Sequence, residues 1–77
     1  MHIVVIQNGN TALMVAAQNG HTAVVALLLQ HGADVDAKNN NGWTALIWAS
    51  REGHTAVAEL LLQHGADVNA KSEVRNV

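Results

Sequence analysis

Apolar side chains recur along this chain with the spacing of short helices. Thr11 is followed by Leu13, Ala16 and Ala17, at i, i+3 and i+4, and Thr44 is followed by Leu46 and Ala49 at matching offsets. A single apolar stripe of that kind fits a helix of about two turns, with the threonine hydroxyl as its N-cap. Gly20 and Gly53 come next, where a helix ends in the left-handed conformation that glycine adopts without a Cβ penalty. A second helix is predicted after each glycine. Thr22 and Thr55 are its expected caps, the runs Leu27-Leu28-Leu29 and Leu60-Leu61-Leu62 its expected core, and Gly32 and Gly65 its stops. The polar stretches 33–41 and 66–76 read as turns or extended loops. The pattern is helix, turn, helix, loop, written twice.

The two copies match residue for residue at a period of 33, with 22 identities over the 31 positions that pair residues 8–38 with 41–71. The block His31-Gly32-Ala33-Asp34-Val35 returns as His64-Gly65-Ala66-Asp67-Val68. Self-similarity at this period marks a repeat architecture, in which each unit buries its apolar face only by stacking on a neighbour. The expected organisation is an apolar flank at 1–7, repeats at 8–40 and 41–73, and a tail at 74–77.

The segments Asn41-Gly42-Trp43-Thr44-Ala45-Leu46, Gly53-His54-Thr55-Ala56-Val57 and Leu60-Leu61-Leu62-Gln63-His64-Gly65-Ala66-Asp67-Val68-Asn69-Ala70 resemble an ankyrin repeat. The resemblance covers residues 8–71 and rests on many positions. It implies an all-α solenoid of two helix-turn-helix units with hairpin-like connecting loops. The family's Thr-Pro-Leu-His signature stands here as Thr11-Ala12-Leu13-Met14 and Thr44-Ala45-Leu46-Ile47. Alanine at the first helical position gives up proline's preset φ, a modest cost to stability.

Composition narrows the function classes. Seventy-seven residues hold one small domain at most. The absence of cysteine removes disulfides and thiolate metal sites and fits a cytoplasmic or nuclear protein. A net charge of −2 offers no attraction to phosphate, so neither nucleic acid nor an anionic membrane is an expected partner. The longest apolar run, 23–29, is far short of a membrane span, and residues 1–6 lack the basic start and longer apolar stretch of a signal peptide.

Candidate chemistry thins out on inspection. His21 and His54, like His31 and His64, are one repeat position seen twice, and no acid or cysteine at ligand spacing completes a metal site. A histidine beside the inter-helix glycine can bond loop backbone, and one at a helix C-terminus meets the negative end of the dipole. Ser50 and His54 lie four apart without a strained nucleophile turn or a partner carboxylate at a recognisable spacing. Asp34, Asp36 and Asp67 recur in loops, where such side chains bond nearby amides. The six glycines punctuate turns and form no phosphate cradle. No catalytic residue, cofactor or metal is expected.

Function is therefore sought where the copies differ, because shared positions answer to the shared fold. The resemblance implies that loop tips and the exposed face of each first helix line a concave surface for a protein partner. On this sequence the expected contact residues are Asn8, Asn10, Gln18, Asn19, Asn41, Trp43, Trp48, Arg51 and Glu52. Trp43 in a polar loop is the rigid, large side chain that interface hot spots favour, or else a local lid over its neighbours. Trp48 lies two residues from Leu46, about 200° round the helix, which aims it away from the apolar stripe, unless it is wedged between the repeats.

The alternative to a partner-binding module is a self-associating structural fragment, or a designed or truncated array with no dedicated partner. Residues 1–33 contain no Asp, Glu, Lys or Arg, so the first repeat lacks the polar outer face of a capping unit. The chain alone is expected to be either weakly stable or a homo-oligomer through that uncapped end. Its sticky surface would lie around Leu13, Val24, Leu27 and Leu28, with Ile3, Val4, Val5 and Ile6 packed on it or on another copy, and two such ends joined in a symmetric dimer.

Overall fold

The computed structural model describes residues 9–69 and holds four helices: α1 (Ala12–Gln18), α2 (Thr22–Gln30), α3 (Ala45–Glu52) and α4 (Thr55–Gln63). Among the described residues there is no strand, so the architecture is all-α. The flanks 1–8 and 70–77 lie outside the described residues, and with them the expected packing of Ile3, Val4, Val5 and Ile6 and the contact role of Asn8.

The first helix of each pair starts as its sequence requires. Thr11 Oγ1 accepts a hydrogen bond from the Met14 amide at 3.2 Å, and Thr44 Oγ1 accepts from the Ile47 amide at 3.3 Å. Each bond satisfies one of the amides that a helix start leaves open. Gly20 and Gly53 then turn the chain at φ +72° and +75°. The following amides close the turn, His21 N bonding Ala16 O and His54 N bonding Ala49 O.

The second helices correct one expectation. Thr22 and Thr55 are their first helical residues, and the cap positions belong to His21 and His54, which make no side-chain cap bond. The turn is tight enough that helical bonding already begins at the histidine carbonyls, with Val25 N on His21 O and Ala58 N on His54 O.

α1 packs on α2 and α3 on α4 within each pair, and the pairs stack α1 on α3 and α2 on α4. Ala16, Ala17, Ala45 and Ala49 are all buried, and side chains this small let helix backbones approach closely. The leucine triplets are a second correction. Only Leu29 and Leu61 are buried, whereas Leu27 and Leu62 are exposed and Leu28 and Leu60 are half-buried. Consecutive helical residues point about 100° apart, so three in a row cannot share one buried face.

Burial of equivalent residues shows which side of each pair makes the contact. Val57 is 0% exposed and its counterpart Val24 46%; Leu29 is 8% exposed and its counterpart Leu62 42%. Val57 and Leu61 of α4 are buried where α4 packs on α2, which carries the buried Val25 and Leu29, and α3 packs on α1, which carries the buried Met14 and Ala17. Val24 and Leu27 are left exposed at the first pair's outer face, as expected. Leu13 is not, because it is buried in the core.

Candidate functional site

The loop between α2 and α3 is organised by Asn39, a buried residue outside the expected contact set. Its Oδ1 accepts from the Asn41 amide at 2.8 Å and the Trp43 amide at 2.9 Å, and its Nδ2 donates to Asn10 Oδ1 at 2.8 Å. The Asn39 amide also donates to Trp43 O at 2.9 Å. One asparagine thus fixes the loop tip and ties it to the preceding loop. The signal for it was the turn-rich run Asn39-Asn40-Asn41-Gly42, in which nothing distinguishes one asparagine from the next.

The loop delivers Trp43 onto α3. Its ring meets Trp48 edge-on, with centroids 4.6 Å apart and planes at 61°, and the Arg51 guanidinium carbon lies 5.2 Å from the Trp43 centroid. Trp48 and Arg51 are three residues apart and so share a helix face. Edge-to-face pairing of the indoles and a cation over the Trp43 ring are both attractive arrangements. Trp43 is half-buried by this contact, so it stands as part of an aromatic stack rather than as a lone exposed anchor. Trp48 is half-buried too, packed against the core, and its indole Nε1 is buried with no hydrogen-bond partner among the described residues.

The other expected contact residues divide. Asn19, Arg51 and Glu52 are exposed at the ends of α1 and α3, and Asn41 is exposed at the loop tip. Asn19 Nδ2 donates to Val15 O in its own helix at 2.9 Å. Asn10 and Gln18 are half-buried and serve the fold: Asn10 takes the bond from Asn39, and the Gln18 carbonyl lies 3.0 Å from His54 Nε2. A carbonyl can only accept, so His54 Nε2 carries the proton and donates.

Several other polar groups serve the fold. The His64 Nδ1 donates to Leu60 O at 3.0 Å in the last turn of α4. Asp34 and Asp67 each accept from the amide two residues on, at 3.0 and 2.9 Å, and Asp36 Oδ1 accepts from the Asp67 amide at 2.9 Å across the two loops. No group of three or more His, Cys, Asp or Glu side chains able to hold a metal ion occurs among the described residues. Among them, too, no helix is long and apolar enough to cross a membrane.

Comparison with known proteins places these observations. A family model described as ankyrin repeats, in three copies, matches residues 2–72. No curated protein matches the chain. The match begins ahead of residue 8, where the first of the two copies begins in the sequence, and counts one repeat more.

Proposed function

The chain belongs to the ankyrin-repeat family, and on that premise we propose that it is a non-enzymatic module that binds a protein partner through its loop tips and the concave, exposed face of its first helices. Family members are in general protein-interaction modules. The observation that carries the reading is the stack of Trp43, Trp48 and Arg51, together with the exposed Asn19, Asn41 and Glu52. Tryptophan and arginine are enriched among the few residues that dominate the energy of protein interfaces. The net charge of −2 favours neither nucleic acid nor an anionic membrane as partner, and a cysteine-free chain suits the cytoplasm or nucleus.

Both tryptophans of the chain lie in this stack, so its intrinsic fluorescence reports on this surface alone. Peptides selected from a random library on the folded chain are expected to shift that emission, and Arg51→Ala to weaken them about tenfold, as loss of a hot-spot arginine does. Trp43→Ala is expected to weaken them further and to cost about 1 to 2 kcal/mol of stability, because it also breaks an aromatic pair. Selected peptides that bind with unchanged emission and ignore Arg51→Ala would place the binding surface elsewhere.

The second reading, self-association, is favoured by a separate observation: Val24 and Leu27 at one end of the stack and Leu62 at the other are exposed.

A further inference from the structure

The contact between the two helix pairs is built from a socket and a plug, and each recurs at an end of the molecule. The socket is Gly20. A Cβ there would lie 2.8 Å from His54 Cε1, because the imidazole of the second pair sits directly on the glycine and donates to Gln18 O. Gly53 holds the same place in the second pair with nearly the same φ, yet a Cβ there would meet nothing within 4 Å among the described residues. In place of the imidazole there is an open cleft of about 290 Å³ lined by Ala49, Ser50, Gly53, His54, Thr55 and Ala58. Beside it a second cleft of about 470 Å³, bounded by Leu46, Ile47, Ser50, Arg51, Asp67 and Val68, matches the surface of α1 on which α3 is seated. Both clefts lie where a further helix pair would stack.

The plug for that socket is on the opposite end of the same chain. The face of the second pair that enters the first carries Ala45, His54, Val57 and Leu61; the outer face of the first pair carries Ala12, His21, Val24 and Leu28, identical at all four positions. Ala12, His21 and Val24 are exposed. We propose that a second copy of this chain docks head to tail, its α1–α2 face entering the α3–α4 face of the first copy as α3–α4 already enters α1–α2. The incoming His21 sits on Gly53 and donates to Arg51 O, as His54 does to Gln18 O. The incoming Asp34 amide meets Asn69 Oδ1, as the Asp67 amide meets Asp36 Oδ1.

This geometry differs from a symmetric dimer of two N-terminal ends, which would set plug against plug with no glycine to receive either histidine. A head-to-tail contact does not close, so it propagates into longer assemblies. It is also weaker than the contact inside the chain, since Ser50 and Ala58 replace Ala17 and Val25 on the receiving side. The proposal rests on the stack ends and not on the Trp43 surface, so it and the partner-binding reading fail separately.

Sedimentation equilibrium of the 77-residue chain tests it. The mean mass is expected to rise with concentration past that of a dimer. Leu27→Glu blocks the entering face and Ala58→Glu the receiving face; Val24→Lys and Ser50→Arg are alternates, and circular dichroism checks that each keeps its helices. Each variant alone is expected to stay monomeric, while an equimolar mixture forms a heterodimer and stops there. The double variant Ser50→Ala, Ala58→Val, which restores the residues of the internal contact, is expected to tighten association roughly tenfold, from about two buried methylenes. The proposal is overturned if the chain remains monomeric at all concentrations, if Ala58→Glu alone still dimerises, which would mean a symmetric N-terminal joint, or if the mixture gains no mass.

Discussion

Two glycines with one backbone conformation and different surroundings separate conformational strain from packing. Gly20 and Gly53 both need φ near +75°, so alanine at either should cost roughly 1 to 2 kcal/mol for the left-handed backbone alone. Only at Gly20 would the new Cβ collide with the His54 ring and displace its hydrogen bond to Gln18 O. Gly20→Ala is therefore expected to be the more destabilising by at least about 1 kcal/mol in urea melts. Adding His54→Ala to Gly20→Ala should remove that excess, since the two act through one contact. Equal costs for the two glycine variants would mean that His54 contributes nothing to the stack. The sequence showed both glycines as helix stops but not this asymmetry, which depends on what stacks behind each. It was similarly silent on Trp43, whose path onto Trp48 is set by a single asparagine in a run of three.

At the scale of elements, what could be read from sequence was what is local. The caps Thr11 and Thr44 and the glycine stops depend on a few neighbouring residues, and all are in place. Thr22 and Thr55 stand one position inside their helices because the turns are short, residues 19–21 in the first pair and 53–54 in the second, and the histidine before each threonine takes the cap position. Burial in the leucine triplets was not legible, because it depends on which side of the pair meets another pair. Leu61 and Leu62 carry identical side chains on adjacent residues of α4, the first fully buried and the second 42% exposed at the receiving end. Leu61→Ala is expected to cost about 2 to 5 kcal/mol, as buried leucines do, and Leu62→Ala no more than about 1. Thermal or urea unfolding of the two variants decides it. Comparable losses would mean that the outer face of α4 is covered by something other than solvent.

For the whole molecule, stability follows from the ratio of stacked to open faces. Two pairs make one contact and leave two ends, with Val24 and Leu27 exposed at one and Leu62 at the other. In a linear stack the total stability is close to a sum over units plus a sum over contacts, and single units are usually unstable alone, so the contacts decide whether the chain folds. Repeating residues 34–66 once more in tandem after Ala66 preserves the junction Ala-Asp-Val and the period of 33. It adds one unit and one contact while leaving two ends, as before. In that chain the socket at the first Gly53 receives the imidazole of the added copy, and the end faces no longer outnumber the contacts. The extended protein is expected to unfold at a higher urea concentration and with a steeper dependence on urea, because more surface is released in one transition. An unchanged midpoint with two separate transitions would mean that the pairs fold independently and that the contact between them contributes little.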